Sequence, residues 1–130
     1  MALDTAEVVV AVGMGIGGPE NLPVIAELAR VLDAPIGGSR KVVDKEWILR
    51  QQQVGLTGKT ISPKLYLAIG ISGAFNHAIG IRRADNVVAI NTNPKAPIFQ
   101  HATLGLVGDW KVLVPALTRH FQRAREQMRK

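Results

Sequence analysis

The sequence predicts a single α/β domain with three layers, in which helices cover both faces of a parallel, Rossmann-like sheet. Apolar runs alternate along the chain with segments of helical periodicity. The runs are continuous and rich in β-branched residues, as in strands that are buried on both faces. A length of 130 residues suits one domain that can close a hydrophobic core.

The first part of the chain predicts a strand, a turn and a helix. Residues 7–12 predict a buried strand, because the run from Val8 to Val12 is apolar throughout, and residues 13–18 form a glycine-rich turn. Asn21 is expected to cap a helix over Leu22–Leu32, because apolar side chains repeat there at helical spacing. Residues 35–40 then predict a short extended piece and a tight turn.

The middle of the chain has residue types that suit a phosphate- and ring-bearing ligand. A helix is predicted over residues 41–47, a glycine-rich turn over 54–59 and a strand over 65–70. Glycines let backbone N–H groups approach a ligand closely. Ser72 is expected to open and cap the next helix, where its hydroxyl joins free N–H groups. His77 lies about one turn into that helix and can face the same site.

The last part of the chain completes the sheet. Residues 86–91 and 104–107 are predicted strands, and a loop over residues 92–97 leaves the carboxyl end of the first. Asp109 is expected to cap the helical segment after the last strand. Because Pro115 interrupts the helical pattern, the sequence predicts two helices there, over residues 110–113 and 114–127.

The net charge of +6 does not indicate nucleic-acid binding. Residues 118–130 hold five arginines and lysines against one glutamate, so the rest of the chain is nearly neutral. One tyrosine and three phenylalanines are few for stacking on bases. A basic, solvated terminal helix is the simpler interpretation, and a docking surface for an acidic partner is the alternative.

Composition also limits location and metal chemistry. No apolar run reaches membrane-spanning length, and the N-terminus lacks a signal-peptide pattern, so we expect no membrane insertion and a cytoplasmic location, or the mitochondrial matrix in a eukaryote. The absence of cysteine excludes disulfides and thiolate metal sites. His77, His101 and His120 are too far apart for a local metal motif, so no metal is expected.

Three motifs in order resemble one known family. Residues 53–66 fit QVG-x-TGK-x-x-(S/A)P-x-LY, residues 70–77 fit GISGA-x-(Q/N)H, and residues 89–100 fit AIN-x-x-P-x-APIFQ. With these motifs the chain resembles the FAD-binding domain of the electron transfer flavoprotein alpha subunit. The resemblance runs from about residue 7 to about residue 117. The resemblance implies FAD as the cofactor and residues 1–130 as this one domain.

The resemblance also implies which residues bind the flavin. Arg40 is expected over the flavin ring, the Thr57 hydroxyl near its N5 atom and His77 at the pyrimidine side. Residues 72–74 are expected at the ribityl–pyrophosphate region. The full predicted set is Ser39, Arg40, Gln53, Val54, Gly55, Thr57, Gly58, Ser72, Gly73, Ala74, Asn76, His77, Asn91, Thr92, Asn93 and Asp109, with Asn91 and Asp109 at the adenosine end.

Some positions depart from the family's pattern. Met14 stands where the family has an arginine that approaches the flavin, and Leu56 replaces a frequent glutamine. Asn76 stands where glutamine is usual, and Thr92 with Asn93 replaces lysine and aspartate. These changes bear on cofactor affinity and potential.

The complete proteins of this family contain more than this domain. The resemblance implies a beta subunit, a further N-terminal alpha domain that is absent here, and electron transfer from dehydrogenases to a downstream acceptor without substrate turnover by the domain itself. Either a piece of a longer chain or a naturally short relative would fit. With those partners missing, self-association and incomplete flavin occupancy are expected.

A dinucleotide-binding domain of an NAD-dependent oxidoreductase is the second interpretation. Gly13, Gly15 and Gly18 satisfy G-x-G-x-x-G between a predicted strand and helix. However, Asp33 closes the predicted helix instead of ending a second strand, and Pro19 interrupts the path from the glycines into the helix.

A serine hydrolase is the third interpretation. Residues 70–74 resemble a nucleophile elbow around Ser72, and Asp85 or Asp109 followed by His101 or His120 gives the hydrolase order of residues. The chain is short for such an enzyme with its oxyanion loop.

Overall fold

The computed structural model describes residues 2–128 and confirms the predicted fold class. Five parallel strands form one sheet in the order β2-β1-β3-β4-β5. Among residues 2–128, no helix is long and apolar enough to cross a membrane. The strands and α-helices are, in chain order, β1 (Val8–Val12), α1 (Leu22–Leu32), β2 (Ile36–Gly38), α2 (Arg40–Asp44), β3 (Leu65–Ile69), α3 (Phe75–Ile81), β4 (Asn86–Asn91), β5 (Leu104–Val107) and α4 (Trp110–Met128).

Successive side chains of the strands enter two hydrophobic clusters, one on each face of the sheet. Val10 and Val12 of β1 pack with α1 and α4, whereas Val9 and Ala11 pack with α3 and the turn over Pro97–His101. All four β1 side chains are fully buried. This explains why the strand is apolar throughout instead of alternating.

The central strands end at one level. Val12 of β1 pairs with Ile69 of β3, and Ile69 pairs with Ile90 of β4. The loops that leave the carboxyl ends of these strands therefore meet at one edge of the sheet, where open α/β sheets bind ligands.

The predicted break at Pro115 is wrong, because α4 continues through it from Trp110 to Met128. A proline inside a helix costs about 3 kcal/mol. Trp110 and Val114 are buried before Pro115, and Thr118 is buried after it on the same face. Burying one large apolar side chain is worth about 1.5–3 kcal/mol, so packing against α1 offsets the cost of the proline.

Two predicted helix caps are also wrong. Asn21 has helical backbone angles, and its amide donates to a carbonyl of the glycine-rich turn at 2.7 Å instead of capping α1. Helix α3 begins at Phe75, so Ala74 and not Ser72 occupies the cap position. Gly73, with φ of +77°, turns the chain between Ser72 and the helix.

Candidate functional site

A cleft of about 430 Å³ opens at the carboxyl edge of the sheet. The loops that follow β1, β2, β3 and β4 contribute its walls, together with residues 53–57. Thirteen of the sixteen predicted cofactor-binding residues line it, namely Ser39, Arg40, Gln53, Val54, Gly55, Thr57, Ser72, Gly73, Ala74, Asn76, His77, Asn91 and Asn93.

The other three predicted residues do not line this cleft. Gly58 lies in a turn against the backbone of Gln53, and Thr92 lines a small neighbouring cavity. The Asp109 carboxylate accepts a hydrogen bond from the backbone N–H of Lys111 at 2.9 Å. Asp109 therefore caps α4, as the sequence predicts.

Nine lining residues were not assigned from the sequence. Gly13 and Gly15 follow the first predicted strand, so the rule that parallel strands end at one edge could have placed them at the site. Lys41 lies on α2 next to Arg40, and Met14 lies in the glycine-rich turn after β1. The other five lie within the three motifs, which could have indicated them. The nine are Gly13, Met14, Gly15, Lys41, Leu56, Gly70, Ile71, Ala96 and Pro97.

The floor of the cleft is a close crossing of two loops. Gly13 N–H donates to the Ile69 carbonyl, and Gly15 N–H donates to the Gly70 carbonyl, both at 2.9 Å. A Cβ atom on Gly15 would lie 2.7 Å from the Gly70 Cα atom. Gly70 has φ of +67°, a left-handed conformation that suits glycine. Glycine at both positions therefore allows the crossing.

One wall is the turn that follows Gln53. The Gln53 side chain is buried and donates from Nε2 to the Thr57 hydroxyl oxygen at 2.7 Å. Backbone N–H of Leu56 donates to the Asn76 carbonyl at 2.7 Å, which ties the turn to α3. Because the Thr57 oxygen accepts from Gln53, its own proton is free for an acceptor in the cleft.

The opposite wall is held by the end of β4. The Asn91 amide donates from Nδ2 to the Ile71 carbonyl at 3.0 Å, and its oxygen accepts from the Asn93 N–H at 2.9 Å. Ile98 N–H donates to the Ser72 carbonyl at 2.7 Å. The Asn91 side chain thus orders the loops on both sides of it.

Positive charge stands at the rim of the cleft. Helix α2 begins at Arg40, one residue earlier than predicted, and ends before Glu46, whose φ of +63° does not continue a helix. The Arg40 side chain is 62% exposed, and its Nε atom lies 3.6 Å from the Asp44 carboxylate. Lys41 lines the cleft beside it. Exposure leaves Arg40 free to turn toward an anionic ligand.

His77 is the buried ionisable side chain of the cleft. Its Nε2 atom lies 2.7 Å from the Tyr66 hydroxyl. Its Nδ1 atom is buried and has no hydrogen-bond partner within residues 2–128. Burial lowers the pKa of His77 to about 4, although the Val54 backbone opposes this shift. The imidazole is therefore neutral at pH 7.

The low pKa of His77 predicts a loss of stability in mild acid. The unfolded chain takes up this proton near pH 6.5, but the folded chain only near pH 4. Between these values the unfolded state binds more protons, so stability falls as the pH falls from about 6.5 to about 4. From pH 7.5 to pH 4.5, His77→Gln should lose about 2.5 kcal/mol less than the parent chain in urea unfolding. His120→Gln, which removes an exposed histidine, is the control, and equal losses in all three chains would contradict the assignment.

The glycine pattern of the first loop does not form an NAD fingerprint. The chain makes two 3₁₀ turns after β1, and α1 begins only at Leu22, beyond Gly18. Asp33 follows α1 in a left-handed conformation, whereas β2 ends at Gly38. The acidic residue is therefore not at the end of the second strand, where it would meet a ribose.

The hydrolase residues are not brought together either. Asp85 and His101 precede β4 and β5, at the edge of the sheet opposite Ser72. Asp109 lies at the same edge as Ser72, but His120 is further along α4 by about 15 Å of helix.

Comparisons with known proteins agree with the geometry. Residues 2–82 match the family model described as "Electron transfer flavoprotein FAD-binding domain". Protein FixB of Azorhizobium caulinodans is 54% identical over 117 residues, which are 90% of this chain and 32% of that protein. The electron transfer flavoprotein subunit alpha of Thermoanaerobacterium thermosaccharolyticum is 48% identical over 121 residues, 93% of this chain and 37% of that protein. The mitochondrial electron transfer flavoprotein subunit alpha of Dictyostelium discoideum is 45% identical over 123 residues, which are 95% of this chain and 35% of that protein.

The chain thus spans about a third of the length of these relatives. Among solved structures, an enzyme from Mycobacterium smegmatis assigned to the thiamin diphosphate-dependent class matches with a TM-score of 0.57 and 14% identity. The match covers 90% of this chain and 25% of that one, and it shows a shared fold alone.

Proposed function

The chain belongs to the family of electron transfer flavoprotein alpha subunits, and from that premise we propose that its cleft binds FAD and that the domain carries electrons. One observation carries the proposal. Thirteen of the sixteen residues that the family's motifs indicate line a single cleft at the edge of the sheet where α/β folds bind ligands.

The polar atoms of the cleft fit a flavin. Its ring carries both hydrogen-bond donors and acceptors and needs polar partners at its edge. The buried Nδ1 of His77 lacks a partner in the described chain, and the Thr57 hydroxyl retains a free proton. The glycines of the floor let the two loops cross closely, and they present backbone rather than side chains to the cleft.

FAD, when bound, supplies the group that accepts and releases electrons. The residues of the chain bind and orient it. The Thr57 hydroxyl, held by Gln53, donates a hydrogen bond at one wall, and His77 offers a neutral imidazole at another. Arg40 places a positive charge at the rim, where it favours added negative charge on the ligand.

The action of the whole protein is part of the same proposal. We expect a beta subunit and a further alpha domain to complete the protein, which takes electrons from dehydrogenases and gives them to an acceptor, with no substrate turnover in this domain. Leu56 lines the cleft and is 55% exposed, and Phe75 lies next to lining residues and is 71% exposed. Exposed apolar side chains of this size are typical of a surface that contacts a partner. Self-association is expected where the partners are missing.

A binding experiment separates the proposed function from its rivals. The purified chain should retain flavin absorption bands after incubation with FAD and gel filtration, and NAD should not compete. Binding of NAD without FAD would instead favour the dinucleotide interpretation. Ester hydrolysis that Ser72→Ala abolishes would favour the hydrolase.

The Arg40 charge should raise the potential at which the bound flavin takes its first electron. Unit charges about 4 Å apart gain roughly 4 kcal/mol at an effective dielectric of about 20. For one electron this gives a ceiling of about 170 mV. Exposure of the guanidinium and its pairing with Asp44 reduce the expected effect to some tens of millivolts. Spectroelectrochemistry of Arg40→Ala at saturating FAD should show the lower potential.

The matched control is Arg30→Ala. Arg30 is also exposed and paired, with Glu27 at 2.5 Å, but it lies on α1 and does not line the cleft. The control should leave the potential unchanged. If Arg40→Ala weakens FAD binding but leaves the potential as it was, Arg40 is a binding residue only.

A further inference from the structure

We propose that Tyr66 is a positioning residue, which holds the His77 imidazole in the tautomer that carries its proton on Nδ1. The inference rests on the proposed function, because it gives the role of His77 toward a ligand in the cleft. Tyr66 lies on β3, is fully buried and is not among the residues that line the cleft. It therefore acts through His77.

The hydrogen-bond inventory of the pair decides which atom donates. The Tyr66 hydroxyl and His77 Nε2 are 2.7 Å apart, and Nε2 is the one partner that residues 2–128 give this hydroxyl. If Tyr66 donates, one buried polar group stays unpaired, the Nδ1–H. If Nε2–H donates, both the tyrosine proton and the Nδ1 lone pair stay unpaired. A buried tyrosine hydroxyl normally donates to a partner, so the first arrangement is favoured.

The consequence concerns the ligand. Nδ1 is buried on a residue that lines the cleft and makes no hydrogen bond of normal geometry in the described chain, although the Val54 backbone lies close enough to the ring to oppose the fall of its pKa. An N–H there needs an acceptor, and a carbonyl oxygen on the pyrimidine part of a flavin can serve as one if the wall beside Val54 moves to admit it. In the opposite tautomer Nδ1 carries a lone pair instead of a proton, and it would repel that carbonyl oxygen. Tyr66 thereby makes His77 a donor.

The tautomer can be measured without any ligand. Nitrogen-15 NMR separates imidazole nitrogens that carry a proton from those that do not, and comparison with His77→Gln assigns the His77 signals. We expect protonated Nδ1 and unprotonated Nε2 in the parent chain at pH 7, and loss of that single pattern in Tyr66→Phe. A protonated Nε2 in the parent chain, or an unchanged pattern in Tyr66→Phe, overturns the proposal.

A second measurement links the tautomer to binding. Tyr66→Phe should weaken FAD binding about tenfold. Thr118→Val is the matched control, since it also removes a buried hydroxyl, which donates to the Val114 carbonyl at 2.9 Å, but on α4 and away from the cleft. It should leave FAD affinity unchanged and change stability little, because this bond returns to a carbonyl of the same helix. If the parent chain binds no FAD, the proposed function fails, while the NMR result still decides on Tyr66. Equal FAD affinity in Tyr66→Phe and Thr118→Val would overturn the role of Tyr66 in binding.

Discussion

Replacing Gly70 with alanine is expected to lower the free energy of unfolding by about 3–4 kcal/mol, a large share of the stability of a small domain. Two costs add. A left-handed conformation costs a non-glycine residue about 1–2 kcal/mol, and crowding a packed interior costs about 1–3 kcal/mol. The new Cβ would lie 2.9 Å from the Gly15 backbone and from Ile16 N, and backbone cannot move aside as a flexible side chain does.

Gly17→Ala separates the two costs. Gly17 also has a positive φ, of +89°, but its Cβ would meet only the Asn21 amide at 3.5 Å. This variant should lose about 1–3 kcal/mol in urea unfolding from backbone conformation alone, because non-glycine residues rarely adopt its φ of +89° and ψ of −34°. FAD affinity should fall in Gly70→Ala, because the floor of the cleft must open, and stay near the parent value in Gly17→Ala. Equal stability losses would show that the crossing can relax.

Four of the five strands were predictable because each is a largely apolar run, whereas β2, with the sequence Ile-Gly-Gly, was predicted only as a short extended piece. Asn86–Asn91 and Leu104–Val107 have the predicted bounds, and Val8–Val12 and Leu65–Ile69 differ by one residue at one end. Val8–Val12 and Leu65–Ile69 are almost wholly buried, as such runs predict, whereas β5 is an exposed edge strand in which Leu104 and Val107 are more than half exposed. Helix ends were harder, since they depend on contacts between distant residues. The sequence does not show that Asn21 would bond to a turn carbonyl, or that packing on α1 would carry α4 across Pro115.

The site was predictable to the extent that motifs mark it. The residues that gather at the cleft come mainly from three motifs, and the rule for parallel strands explains why they meet. The hydrogen bond between Tyr66 and His77 could not be predicted, because it joins a side chain of β3 to one of α3. The sequence does not show that these two side chains lie 2.7 Å apart in the interior. For the same reason the sequence does not reveal that the Asn91 side chain is hydrogen-bonded to the Ile71 carbonyl and the Asn93 N–H.

The second large effect concerns the length of the ligand. Beside the cleft lies a cavity of about 30 Å³, lined in part by Thr92, Gly108 and Trp110, at the ends of β4 and β5. It shares Gly15, Gly70 and Asn91 with the cleft, so the two are continuous along the same edge, although the cavity itself has room for only about one water molecule. Asp109 is predicted at the adenosine end. One of its carboxylate oxygens accepts a hydrogen bond from the Lys111 N–H, which leaves the other oxygen as an acceptor for a ligand.

We therefore expect FMN, which lacks the adenosine half, to bind at least about 100-fold more weakly than FAD, a difference of about 2.7 kcal/mol. Calorimetric titration of the two flavins measures the ratio directly. AMP serves as the matched probe of the predicted adenosine end at Asn91 and Asp109, because it should compete with FAD but leave the weak binding of FMN unchanged. Equal affinity for FMN and FAD would remove the adenosine site from the proposal. Competition of AMP with both flavins would place the nucleotide in the main cleft instead of beside it.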